Sequence, residues 1–382
     1  MTIDPSANAA VRRVLDDLVA QGREIGVQVA AYHRGALVVD AWAGLADPDS
    51  GRAVDGETLF NVFSVTKGVA ATALHVQAER GLVDYDSPVA RYWPEYGAHG
   101  KETVTVRDAL SHRTGTPQMP PGATPDSICD WDAMVAGIAA LEPLLPIGQP
   151  AYQAVSFGWV IGEIVRRTDP RQRSFRDFVL EEICAPFAIP DLWIGIDDEV
   201  EPRIARLTDT LNSKPPAVGS ILEKAMPFEV RLAPDVFELP QVRRAAIAGV
   251  GGIFTARSAA RFWAILAGGG ELEGKRLLSR ERVEAAALFR PGGTLADPVF
   301  FGMPMPISEG GFWKYDGQCP LTLALASDTA IACPGAGGSL GWADPATGLA
   351  VAYCHNRMSA DPPGEDGATL VGNAIRSALG IA

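Results

Sequence analysis

The chain has 382 residues, 47% of them apolar and 21% charged, the composition of a globular protein able to bury a sizeable core and too long for one typical domain. Its 46 acidic and 33 basic side chains leave a formal net charge of −13 with no Lys/Arg-rich run, which disfavours nucleic acid or an anionic membrane as partner and suits an uncharged or cationic small molecule. No stretch offers the roughly 18 uninterrupted apolar residues of a membrane span, and the N-terminus lacks a basic segment followed by an apolar one, so a cytoplasmic protein is expected.

In chain order, Val11, Val14, Leu15, Leu18 and Val19 recur at helical spacing behind Asp4-Pro5, a cap followed by a first-turn proline, and predict a first helix over 5–22. "IGVQVAAYHRG" and "ALVVDAWAGLAD" are β-rich runs separated by Arg34-Gly35, which predicts a hairpin. A helix is expected near Ser64. Beyond it, short helical pieces broken by Pro and Gly lead into a stretch, to about residue 230, whose clearest amphipathic periods are "FGWVIGEIVRRT" and "SFRDFVLEEICAPF". From Gly249 a Gly-rich turn enters a helix capped by Thr255 or Ser258; then "TAIACPGAGGSLGWADPATGLAVAYCHNRM" patterns as a β-meander, and "GATLVGNAIRSALG" closes the chain with a helix. The two ends are therefore expected to build one sheet, residues 1–90 with 231–382, and residues 91–230 a mostly α-helical lobe, with a cleft between them.

Five cysteines, Cys129, Cys184, Cys319, Cys333 and Cys354, are scattered without a Cys-x-x-Cys pair and are expected as reduced thiols. The five histidines lack a metal-binding spacing, so neither metal nor cofactor is expected.

The pair Ser64-Val65-Thr66-Lys67 places a hydroxyl and an amine one helical turn apart. With 17 Ser and 6 Lys in the chain, chance yields this spacing in roughly one such chain in four, so context has to decide. A serine hydroxyl needs a proton acceptor, and lysine serves as one only when its pKa is lowered. Leu59, Phe60, Val62, Phe63, Val65 and Val69 would desolvate the amine, and the positive end of the helix dipole disfavours its charge further. The simpler alternative is a helix-capping Ser64 and a solvated Lys67; a lysine in the first turn on an apolar flank fits that alternative poorly.

With "LSHRTG" at 110–115, "LLPIGQPAYQAVSFGWVIGEIVRR" around Tyr152, "AGVGGIFTARSAARF" at 248–262 and "PGAGGSLGWADPATGLAVAY" at 334–353, the chain resembles the serine β-lactamase-like superfamily over nearly its whole length. It is most similar to the carboxylesterases of family VIII. The resemblance implies an α/β (α+β) β-lactamase/penicillin-binding-like fold, with an antiparallel sheet flanked by helices plus a mostly helical lobe. It also implies Ser64, Lys67 and Tyr152 as catalytic groups acting through an acyl-enzyme on a small-molecule ester, with no cofactor. Tyr152, beside a cationic lysine, is expected to shift toward phenolate, and which of Lys67 and Tyr152 is the base stays open. The main-chain N–H groups of Ser64 and Ala336 are the expected oxyanion hole, and Cys333, Gly335 and Gly337 are expected to line the substrate cleft. Cys333-Pro334-Gly335 stands where β-lactamases carry Lys-Thr-Gly, so no cation is expected to recognise a substrate carboxylate.

A rival nucleophile is Ser339 in Gly337-Gly338-Ser339-Leu340-Gly341, a G-x-S-x-G match whose strand context and 15-residue separation from the last histidine, His355, are wrong for a nucleophile elbow. His112 is expected as a structural histidine and Asp108 as an organiser of its loop. A β-lactamase or D-peptidase acting on amides, an acyltransferase and a non-catalytic binding protein remain alternatives on the same scaffold.

Overall fold

The computed structural model describes residues 3–211, 214–292 and 295–381. Helix α1, Pro5–Ala20, starts where Asp4 accepts from the N–H groups of Ser6 and Ala7, and it is followed by a hairpin, Gly26–His33 and Ala36–Asp47. Arg34 and Gly35 both turn with positive φ (49° and 80°), the conformation a two-residue turn between twisted strands requires.

These strands are the fifth and sixth of a seven-stranded sheet. Its spatial order is 313–314, 331–334, 340–344, 349–355, 26–33, 36–47, 52–53, with antiparallel neighbours throughout. The first strand pairs with the last long one, Val29 opposite Tyr353 and Ala31 opposite Val351, so the two ends of the chain share one sheet. Both faces are covered, which is why these strands read as apolar runs without clean alternation. On one face α1 and the terminal helix α5, Gly367–Leu379, bury Val27, Val29, Ala31, Trp342 and Val351. On the other lies α4, Ala256–Ala267, capped by Thr255 as expected. Its Trp263 is wholly buried, and a Cβ on Gly341 would lie 2.0 Å from the Trp263 indole nitrogen, so only glycine fits there.

A smaller sheet carries the site. Phe60–Phe63 and Leu192–Ile194 flank Gly252–Phe254. The strand 192–194 lies inside the stretch expected to be mostly helical, which is thereby stitched to both chain ends. Helix α2, Thr66–Glu79, follows directly from strand 60–63 and packs against α3, Phe157–Thr168. No helix among the described residues is long and apolar enough to cross a membrane.

Candidate active site

Ser64 sits at a corner. Strand 60–63 ends at Phe63, which adopts φ 45°, a left-handed conformation that a bulky residue enters only at a cost of about 1–3 kcal/mol; the chain then turns through Ser64 and Val65 into α2. The corner is held from several sides. Phe63 packs edge-on against Phe237 at 5.2 Å, and Thr66 Oγ1 donates to Phe63 O while accepting from Gly252 N–H at 2.9 Å. A Cβ on Gly252 would come within 2.4 Å of that hydroxyl. Helix α2 has no side-chain cap at its N-terminus, so Ser64 does not serve as the capping residue that the simpler alternative required.

Lys67 is 2% exposed, and its Nζ lies 3.0 Å from Ser64 Oγ, 2.8 Å from Ala154 O and 3.1 Å from Gly249 O. No carboxylate is among these partners, and burial lowers its pKa from 10.5 to about 7. A neutral amine has two N–H bonds and one lone pair: the two carbonyls take the N–H groups and the lone pair is left for the Ser64 hydroxyl. The backbone that carries the Gly249 carbonyl lies in close contact with α3, since a Cβ on Gly158 would lie 1.9 Å from Gly249 N.

Tyr152 lies in the irregular segment before α3, and each of three consecutive N–H groups there is held. Ala151 donates to His112 O at 2.9 Å, Tyr152 to Asp297 Oδ2 at 2.8 Å and Gln153 to His112 Nδ1 at 3.1 Å. His112 is thus a structural histidine, buried, at φ 58°, its ring 4.6 Å from that of Tyr152. Burial, reinforced by the charge of Lys67, holds its pKa well below the usual value. Asp108 closes a capping box with Thr105 and accepts from Arg290 at 2.8 Å, anchoring the loop.

The expected drift of Tyr152 toward phenolate is corrected. Burial raises the phenol's pKa, and the facing Ser64 side chain only partly opposes this. With Lys67 depressed to about 7, the lysine charge that would have favoured phenolate is itself disfavoured.

Ser64 and Tyr152 open onto a cavity of about 560 Å³ with Gly335, Ala336 and Gly337 on its wall. A Cβ on Gly335 would meet Val62 O at 2.3 Å, so the 334–339 turn lies directly against the chain leading to Ser64. Among the described residues no acceptor takes the N–H of Ser64 or of Ala336, leaving both available to a ligand. Cys333 departs from expectation: it is 1% exposed and absent from the cavity wall, and its Sγ packs 3.3 Å from where a Cβ on Gly68 would lie. Alternating side-chain direction along strand 331–334 places it behind the wall.

Ser339 belongs to the tight turn between strands 331–334 and 340–344, and its Oγ accepts from the backbone N–H of His355 at 3.4 Å. The His355 imidazole is engaged through Nδ1 with Glu24, at 2.9 and 3.0 Å, and Tyr353 donates to the same carboxylate at 2.6 Å. This buried cluster backs the turn: a Cβ on Gly338 would touch the His355 ring at 2.9 Å. Neither Glu24 nor Asp297 carried a sequence signal, since each meets its partner only across the fold, 331 and 145 residues away.

Comparison with known proteins agrees with this architecture. The Beta-lactamase family model matches residues 11–375. The esterase/beta-lactamase LipL of Mycobacterium tuberculosis is 33% identical over 387 aligned positions, covering 95% of this chain and 84% of its own. A family VIII carboxylesterase of known structure is 30% identical with a TM-score of 0.88, and a penicillin-binding protein homologue from Caulobacter crescentus is 32% identical with a TM-score of 0.86, each pair covering 99% of both chains. The family anticipated from the motifs is the one found: the chain belongs to the Beta-lactamase family of serine β-lactamase-like hydrolases.

Proposed function

We propose that this protein is a carboxylesterase that cleaves short-chain or aryl esters through an acyl-enzyme on Ser64. The observation that carries the reading is the partner set of Lys67, a buried amine with two carbonyls for its N–H groups and Ser64 Oγ as third neighbour. Neutral Lys67 takes the Ser64 proton as Oγ attacks the ester carbonyl. The N–H groups of Ser64 and Ala336 hold the developing oxyanion, each donor contributing about 3 kcal/mol in comparable sites. The leaving alkoxide takes a proton from the Tyr152 hydroxyl, which recovers it from the Lys67 ammonium. Water, deprotonated by the same groups, then releases the acid.

Esters are favoured over β-lactams or peptides by the placement of cations at and behind the cavity wall. By the resemblance, the uncharged and buried Cys333 stands at the position of the lysine in the β-lactamases' Lys-Thr-Gly, and Arg231, on the cavity wall, is paired with Asp235. The test is hydrolysis of p-nitrophenyl acetate and butyrate, with nitrocefin as the β-lactam control. Wild type and Ser339→Ala should turn over both esters and Ser64→Ala neither; a wild type that opens nitrocefin but leaves esters intact would favour the amide reading.

A further inference from the structure

The cavity at Ser64 shares its wall with a second one of about 600 Å³, and Phe300 and Pro320 line both. The second cavity is mixed in character, with Phe289, Met303 and Pro306 on its wall beside the polar Arg290, Asp316 and Gln318. Phe300 is the aromatic part of the partition, its ring edge-on to Trp313 at 5.8 Å and to Tyr152 at 6.2 Å. Its backbone is fixed to the reacting groups through one carboxylate. Asp297, 1% exposed, accepts from Val299 N–H at 2.8 Å and Phe300 N–H at 3.0 Å with Oδ1, and from Tyr152 N–H at 2.8 Å with Oδ2. The same buried group therefore sets the position of the phenol and of the partition beside it.

We propose that Phe300 is the size-determining residue of the site, a partition held in register with Tyr152 by Asp297, and that removing its ring joins the two cavities into a cleft for bulkier uncharged esters. The inference rests on the esterase reading for its substrate and on the shared wall for its geometry. Truncating a ring that separates two open volumes leaves space that a longer apolar group can fill, instead of a void the core must collapse around.

The experiment compares wild type, Phe300→Leu and Phe300→Ala on two substrate series: p-nitrophenyl acetate against hexanoate for the acyl side, and phenyl against 2-naphthyl acetate for the alcohol side. In one series, the large-to-small ratio of kcat/KM should rise at least about tenfold in Phe300→Ala, the discrimination that one or two methylenes carry in an apolar pocket, with Phe300→Leu between. Ratios within about twofold of wild type in both series would overturn the proposal. Asp297→Asn, which places an amide where an N–H needs an acceptor, should lower kcat on p-nitrophenyl acetate and relax the same ratio; a loss of kcat with the ratio unchanged would remove Asp297 from the partition. Binding of the unreactive ethyl and hexyl p-nitrophenyl ethers, followed by tryptophan fluorescence, separates this inference from the reaction. Even in a protein inert to esters, Phe300→Ala should tighten the hexyl ether alone, and equal affinity changes for both ethers would count against the partition.

Discussion

The proposed chemistry is concentrated in one amine. A lysine whose folded pKa is lowered to about 7 from 10.5 makes kcat/KM rise as pH climbs through about 7, when the amine becomes able to accept the Ser64 proton. A pH–rate profile checks this, and Lys67→Met should lose activity by several orders of magnitude at every pH. Stability follows with a definite sign. Between pH 7 and 10.5 the unfolded chain binds the lysine proton and the folded protein does not, so this group's contribution to stability rises with pH across that window and its cost is fully present below it. Urea unfolding from pH 6 to 9 should therefore show wild type gaining on Lys67→Met as pH rises; a constant difference would mean that Lys67 is charged in the fold. The Ser64–Lys67 pair was legible because it is local, two residues on one helical turn. Tyr152 was reached only through resemblance, and its protonated phenol was not foreseen, because the sequence does not reveal how completely the ring is buried. Asp297 was invisible, one carboxylate in a Pro- and Gly-rich stretch whose partner lies 145 residues away.

At the scale of elements, a strained corner and a glycine contact place the Ser64 and Lys67 side chains of the proposed mechanism. The left-handed Phe63 turns strand 60–63 into α2, and Thr66 ties that corner to Gly252. Gly158 lets α3 approach the 248–249 backbone so closely that Gly249 O reaches Lys67. Gly158→Ala should therefore cost at least about tenfold in kcat, the sensitivity expected when catalytic groups move by a fraction of an ångström, with circular dichroism retained as the check that folding survives. By contrast, Asp4→Ala, which removes the N-cap of α1 on the far face of the sheet, should lower stability by about 1 kcal/mol and leave kcat unchanged. Hairpins, caps and the meander were readable because glycine, proline and capping residues act on their immediate neighbours. The strand 192–194 was not, since three residues offer too short a period, and it is a strand only through its pairing with 252–254.

For the molecule as a whole, the union of both chain ends in one sheet fixes the corner at Ser64 against the 334–339 turn, so the proposed nucleophile and its two N–H groups are assembled from distant segments. On the proposed esterase reading, the net charge of −13 and the presence of Asp209, Asp361 and Asp366 on the cavity wall favour neutral or cationic substrates. Acetylcholine should be cleaved with a kcat/KM that falls as salt is raised, whereas its neutral isostere 3,3-dimethylbutyl acetate should show no such dependence; parallel behaviour of the two would show that the charge does not steer substrate. The central claim, that Ser64 carries the acyl group, is tested most directly by rapidly quenching wild-type protein during turnover of p-nitrophenyl butyrate and locating the adduct by peptide mass mapping. The account predicts one butyryl group on the peptide containing Ser64, absent in Ser64→Ala; a butyryl group on the peptide containing Ser339 would contradict it.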